Sequence, residues 1–191
     1  MKLVVGISGA SGAIYGIRLL QVLKETTGIE THLVISEAAA TTIKVETDWT
    51  RRRIEALATF HYRNEDIAAR LSSGSFATDG MVIIPCSIKT LSAVANSYGH
   101  NLMARAADVT LKERRKLVLV VRETPLHLGH LRAMTQVAEI GAVVLPPMPA
   151  FYHHPRTIGD IVDQTVGKVL EQFGIAHQCY RRWEGGEAGP A

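Results

Sequence analysis

Apolar residues gather in five short runs along the chain: Leu3 to Ile7, Thr31 to Ile35, Met81 to Pro85, Lys116 to Val121 and Ala142 to Leu145. Each is rich in Val, Ile and Leu and lacks polar alternation, so each predicts a strand buried on both faces. Between the runs the period becomes helical. Ala13 to Glu25 sets Ile14, Ile17, Leu20 and Leu23 near one face, and Leu126 to Glu139 and Ile158 to Phe173 behave alike. Thr124-Pro125 before Leu126 predicts an N-cap followed by a proline at the first helical position. Strands alternating with helices predict βαβ units and a parallel sheet covered on both sides. The expected fold is therefore α/β: a doubly wound, Rossmann-like (flavodoxin-like) parallel sheet in a three-layer αβα domain. The polar stretch from Glu46 to Ser75 predicts short helices and a loop. The domain is expected to span residues 1–183, and residues 184–191, Glu-Gly-Gly-Glu-Ala-Gly-Pro-Ala, to form a frayed tail.

Polar residues are most informative at the strand ends, because open α/β sheets bind ligands beyond the carboxyl ends of their strands. The first strand runs into Gly6-Ile7-Ser8-Gly9-Ala10-Ser11-Gly12-Ala13, and the second ends at Ser36. The third ends in Pro85-Cys86-Ser87-Ile88-Lys89-Thr90, the fourth at Arg122-Glu123, and the fifth in Pro146-Pro147-Met148-Pro149-Ala150-Phe151-Tyr152. Small hydroxyls, a Lys, an Arg, a Glu and a Tyr are thus expected along one edge. The first loop is neither the G-x-G-x-x-G dinucleotide fingerprint nor a P-loop. Its glycines let backbone approach a ligand, and the following helix offers free N–H groups to an anion; a plain tight turn would read the same way. Ser87 and Thr90 suit a helix cap, a ligand contact, or both. Lys89 opposes the dipole of the helix it would begin and so hints at a nearby anion. Arg122 beside Glu123 ends an otherwise apolar strand, which is costly unless the pair is used or solvated. Glu46 falls at the end of the second helix.

Composition adds bounds rather than chemistry. With 191 residues, 47% hydrophobic and 20% charged, the chain is an ordinary globular domain large enough to fold without disulfide or structural metal. Lys and Arg exceed Asp and Glu by three. The basic clusters Arg51-Arg52-Arg53 and Lys112 to Lys116 read as solvated helix faces rather than a nucleic-acid stripe. No apolar run approaches the roughly 20 residues needed to cross a bilayer, and Met1 to Gly6 is too short for a signal peptide. Cys86 and Cys179 make neither metal spacing nor a disulfide framework, so a reduced, cytoplasmic protein is expected. His127 and His130 at i, i+3 and the adjacent His153-His154 lack companion ligands at metal spacing. Asp160 and Asp163 suit the start of a helix better than a metal. There is no G-x-S-x-G elbow of a hydrolase.

Taken in order, several segments closely resemble the UbiX family of flavin prenyltransferases. They are Gly9-Ala10-Ser11-Gly12-Ala13, Ser36, Pro85-Cys86-Ser87-Ile88-Lys89-Thr90-Leu91, Arg105-Ala106-Ala107-Asp108-Val109, Leu111-Lys112-Glu113-Arg114-Arg115, Arg122-Glu123-Thr124-Pro125-Leu126 and Pro149-Ala150-Phe151-Tyr152. The likeness runs from about Met1 to Trp183. It implies a metal-independent transferase that joins a dimethylallyl group from dimethylallyl monophosphate to reduced FMN. The product, prenylated FMN, would serve a UbiD-type decarboxylase in ubiquinone synthesis or aromatic acid breakdown. The resemblance also implies a homo-oligomer, typically a dodecamer. It assigns FMN contacts to Gly9, Ala10, Ser11, Ser36, Ser87, Ile88, Lys89, Thr90 and Arg122. It assigns the prenyl phosphate to Tyr152, Lys168, Lys112 and Arg122, and acid/base work to Glu123 with Glu46 and Ser11 nearby. Position 168 is Arg in many relatives, so Lys168 keeps the charge but loses the guanidinium fork. Glu37 stands where Lys is frequent.

Alternative readings are an FMN-dependent cysteine-type decarboxylase, which would carry a catalytic His and an Asn-containing loop where this chain has Ser87 to Thr90, and a non-catalytic flavin carrier. A nicotinamide dehydrogenase is disfavoured by the glycine spacing and by Ser36, where a ribose-binding acid is usual.

Overall fold

The computed structural model describes residues 1–183 and 185; the expected frayed tail otherwise lies outside the described residues. Six strands form one all-parallel sheet: β1 (Lys2–Ile7), β2 (Glu30–Ile35), β3 (Phe60–Arg63), β4 (Gly80–Cys86), β5 (Lys116–Val121) and β6 (Val143–Val144). Their spatial order is β3-β2-β1-β4-β5-β6, so the winding reverses between β1 and β4. That crevice is where a doubly wound sheet accepts ligands.

Alternate strand residues feed two cores. Leu3, Val5 and Ile7 of β1, with Val82, Ile84, Val118 and Val120, pack under α1 (Ala13–Glu25), α2 (Glu37–Glu46), α3 (Arg51–Glu55) and α7 (Ile158–Gln172). Val4, Met81, Ile83, Leu117, Leu119 and Val121 face α4 (Ile88–Ala95), α5 (Leu102–Lys112) and α6 (Leu128–Glu139). Burial on both faces explains why the inner strands read as unbroken apolar runs.

Three sequence expectations need correction. The polar 46–75 stretch holds not only α3 and a 3-10 turn but also the edge strand β3, whose Phe-His-Tyr-Arg is largely exposed and gives no apolar run. The sixth helix begins at Leu128 rather than Leu126. His127 is its N-cap, with Nδ1 accepting from the Gly129 N–H at 3.0 Å, while Thr124 and Pro125 remain in the loop. Lys112 to Lys116 is not one helix face: α5 stops at Lys112, and Arg114 turns with φ of 54°. Arg115 then binds the carbonyls of Gly74 and Phe76 at 2.9 and 3.0 Å. Arg51 and Arg53 are also engaged, with Glu37 and Glu55 and with the Trp49 ring respectively. No described helix is long and apolar enough to cross a membrane.

Candidate functional site

At the switch point the strand ends are laced together by short polar contacts. Ser8 is 1% exposed and does most of this. Its hydroxyl donates to the Pro85 carbonyl at 2.8 Å and accepts the Ser87 N–H at 2.7 Å, tying the β1 loop to the β4 loop. The Ser36 N–H reaches Ile7 O at 3.1 Å, and the Arg122 N–H reaches Cys86 O at 3.1 Å. The ends of β1, β2, β4 and β5 thus form one continuous platform. Ser8 escaped the sequence reading because a hydroxyl inside a glycine-rich turn looks like any other turn residue.

Three helices start on this platform. Ser87 caps α4, accepting from the Thr90 N–H at 3.3 Å and sharing a hydrogen bond with the Thr90 hydroxyl. Ser36 caps α2, accepting from the Ala39 N–H at 3.1 Å. Gly12 precedes α1 at φ of 96°, a left-handed conformation natural to glycine. Gly9 meets a different demand: a β-carbon there would lie 2.3 Å from the Ala38 side chain, so only glycine lets the loop pass beneath α2. From Ala38, α2 crosses the edge to Glu46. The Glu46 carboxylate accepts the Gly12 N–H at 2.8 Å and the Ala13 N–H at 3.4 Å, capping α1 where a cap side chain is otherwise missing. Partial burial opposes its ionisation. The Ser11 hydroxyl, these two N–H groups and the nearby Arg122 charge outweigh that and hold its pKa below the ordinary glutamate value. Burial raises the Tyr15 phenol despite the same Arg122 charge.

Between the platform and α5 lies a cavity of about 250 Å³. Gly9, Ser36, Ser87, Lys89 and Thr90 line it, with Asn64 and Asn101 at its far wall. Arg122 and Glu123 leave the end of β5 exposed; Glu123 Oε1 accepts the Thr124 N–H at 2.9 Å. Small residues against backbone, helix N-termini gathered at one edge, one lysine and one arginine suit a flat, phosphate-bearing ligand. Cys86, fully buried at the end of β4, is pushed by burial up to about 12 and is chemically inert there.

The remaining sequence candidates do not join this platform within one protomer. After β6 the chain leads Tyr152 away to a second cavity of about 390 Å³, shared with Lys168, Glu171, Tyr180, Arg182 and Trp183. Lys168 lies well along α7, which ends where β4 and β5 begin: Lys116 Nζ bonds Gln172 O, and the Phe173 ring packs where a Gly80 side chain would be. Lys112 closes α5 beside Glu113 and Gly74, at the sheet edge opposite the platform. The expectation that Tyr152 meets the hydroxyls, Lys89, Arg122 and Glu123 along one edge is therefore not met within one chain, because the segment after β6 carries Tyr152 to the cavity beside α7; Lys112, assigned by the resemblance, stands at the far end of α5. Asp160 and Asp163 are both engaged, Asp160 in a capping box with Thr157 and Asp163 in an ion pair with Arg18 at 2.6 Å.

Comparison with known proteins places this geometry. Residues 1–170 match the family model described as Flavoprotein. The chain is 62% identical over 186 residues to the flavin prenyltransferase UbiX of Escherichia coli, covering 96% of this chain and 98% of that protein. A dodecameric FMN-dependent UbiX-like decarboxylase from Escherichia coli superposes with a TM-score of 0.95 at 54% identity, covering 97% of this chain and all of that one. AnUbiX, in complex with FMN and dimethylallyl pyrophosphate, superposes with a TM-score of 0.95 at 48% identity, covering 97% and 98%.

Proposed function

The chain belongs to the flavin prenyltransferases of the Flavoprotein family, and on that premise we propose how its residues divide the work of joining a dimethylallyl group to reduced FMN. The cysteine-type decarboxylase and the passive carrier are set aside by the identity to a flavin prenyltransferase over nearly the whole chain. One flavoprotein domain, residues 1–183, carries the activity, and we place it in the cytoplasm.

The single observation that carries the assignment is the Ser8-laced platform: Gly9, Ser36, Ser87, Lys89 and Thr90 line its crevice, Ala10, Ser11 and Ile88 adjoin them in the same two loops, and Arg122 joins through its N–H to Cys86 O; these nine are the proposed FMN contacts. Reduced FMN, as substrate, supplies the nucleophilic ring positions. The residues handle the departing phosphate and the protons. Breaking the allylic carbon–oxygen bond puts positive charge on the prenyl fragment and negative charge on the phosphate. Lys112, Arg122, Lys168 and the Tyr152 phenol oppose the latter without a metal. The new bond to the flavin uses the electron pair of the ring, and ring closure needs one proton delivered and one removed. Glu123 does this work, with one carboxylate oxygen fixed by the Thr124 N–H. Glu46, held ionised by its N–H partners, anchors Ser11 and the start of α1 and acts as an acceptor rather than a proton donor.

Because Tyr152, Lys168 and Lys112 stand apart from the platform in one protomer, the complete site is assembled between copies: one copy's flavin crevice faces the donor-binding side chains of its neighbours. A homo-oligomer supplies that arrangement; a dodecamer, dimethylallyl monophosphate as donor, and a UbiD-type decarboxylase as recipient of prenylated FMN complete the proposal. The test is the mass of the flavin after anaerobic incubation of reduced FMN, dimethylallyl monophosphate and the protein. Gain of one dimethylallyl group is the expected result; unmodified flavin with retained binding would overturn it.

A further inference from the structure

The donor cavity contains side chains that no part of this scheme uses, Glu171 among them. Glu171 lies one turn beyond Lys168 on α7. Its carboxylate takes Lys168 Nζ at 2.8 Å, the Tyr180 hydroxyl at 2.8 Å and Arg182 Nε at 3.4 Å. An anion in the last turn of a helix is unfavourable to the macrodipole, so Glu171 needs these partners to sit there. Its own role follows from what it leaves free. Arg182 comes to it through Nε at 3.4 Å, and its side chain is 60% exposed, which leaves the guanidinium open to another acceptor. Lys168 is 44% exposed beside it, with its ammonium held at a fixed place on the cavity wall. Two cations against one carboxylate leave a net positive charge at this wall.

We propose that Glu171 is a positioning residue of the donor-phosphate subsite: it holds Lys168 and Arg182 as a paired clamp in which Arg182 makes the planar phosphate contact that Lys168 lacks. This rests on the reading that Lys168 and Tyr152 face the donor phosphate. A phosphate monoester offers three oxygens in a geometry that an arginine fork meets with two parallel hydrogen bonds, whereas an ammonium meets it as a point charge. Anchoring both cations through one carboxylate removes much of the rotamer entropy that two long exposed side chains would otherwise lose on binding.

The test is steady-state kinetics with reduced FMN and dimethylallyl monophosphate, using inorganic phosphate as a competitive probe. Arg182→Gln and Glu171→Gln are each expected to raise the donor KM by about tenfold, as loss of a charge-assisted contact should. The inhibition constant of phosphate should rise by the same factor, with kcat and the FMN Kd within about twofold. The double variant should fall short of the product of the two effects, since both act on one clamp, and Arg182→Lys should recover only part of the loss. Unchanged donor KM in Arg182→Gln and Glu171→Gln, with only a lowered Tm, would overturn the proposal and leave Glu171 as a staple for the C-terminal segment. Should Glu171→Gln fail to assemble, the exposed Arg182→Gln carries the decision alone. Lys168→Ala separates the premise: if it too leaves the donor KM unchanged, the subsite reading itself is wrong, whereas a raised KM confined to Lys168→Ala refutes only the role of Glu171 and Arg182.

Discussion

The crevice at the switch point and the cavity beside α7 are built on opposite principles. The crevice is made of backbone: strand ends laced through Ser8, helix N-termini capped by Ser36, Ser87 and Glu46, and a glycine where α2 crosses. Its groups are tied to one another by hydrogen bonds within one chain. The cavity is made of long charged side chains: Lys168, Glu171 and Arg182, closed by Tyr152 and by the Tyr180–Trp183 stretch of the C-terminal segment. Rigid N–H donors suit a flavin that must be held in one orientation. Cations gathered on one carboxylate suit a phosphate that must be taken up, stabilised as it leaves, and released.

The strongest way to break this comparison is to damage the two regions in different copies. Glu123→Gln and Lys168→Ala should each lower product formation by about a hundredfold or more, the former with FMN binding intact. Co-expressed in one assembly, they should regain up to about a quarter of native turnover, because random mixing leaves that share of intersubunit sites intact. Flavin mass per hour reads the outcome. Absence of any recovery in a properly assembled mixture would mean that both residues serve the same copy's site, contrary to the separation seen here.

A smaller effect tests the backbone lacing of the crevice. Gly9→Val drives a branched side chain into Ala38 and should cost about 1–3 kcal/mol by overpacking, together with most of the FMN affinity. Ser8→Ala should cost about 1–3 kcal/mol by leaving the Ser87 N–H without its partner, or roughly 2–12 °C in Tm for a domain of this size. Denaturant titration and flavin fluorescence measure both. Native FMN affinity in either variant would show that the lacing is not what shapes the crevice.

How far the sequence shows these two regions follows from how each is made. The platform is legible because the topology rule places strand ends together, and the residues after Ile7, Ile35, Pro85 and Val121 are small, hydroxylated or charged where apolar residues would be expected. Ser8 and the close approach at Gly9 were not legible, since both depend on which neighbour lies across a few ångströms. The strand β3 was missed because its exposed Phe60 to Arg63 carries no apolar period. The α7 cavity was legible only through resemblance. Lys168, Glu171, Tyr180 and Arg182 lie within 15 positions of one another, yet nothing in their spacing says that the chain after α7 folds back along the helix. Tyr152 was expected on the platform because the topology rule fixes where strands end, and says nothing about where a long return segment will lie; Lys112 was legible only through resemblance.

The finest test uses two carboxylates. Glu46 and Glu171 both titrate below the ordinary glutamate value although burial pushes each the other way, and they do so for different reasons. For Glu46 the opposing causes are led by the Ser11 hydroxyl and the N–H groups of Gly12 and Ala13; for Glu171 they are led by Lys168 and Tyr180, with Arg182 adding charge. A carboxyl whose folded pKa is depressed contributes stability that is present above the unfolded value and is lost as pH falls through the folded one. Both should therefore steepen the loss of stability below about pH 4.5, and Glu46→Gln and Glu171→Gln should each flatten that limb. Salt then separates them. At about 1 M ionic strength the screening length shrinks to roughly 3 Å, which weakens interactions among exposed charges far more than short hydrogen bonds from backbone N–H groups. The flattening caused by Glu171→Gln should shrink between low and high salt, while that caused by Glu46→Gln should persist. Equal salt sensitivity of the two, read as Tm against pH at both ionic strengths, would mean that the cavity's carboxylate is held as rigidly as the platform's and that the contrast between the two regions is one of composition alone.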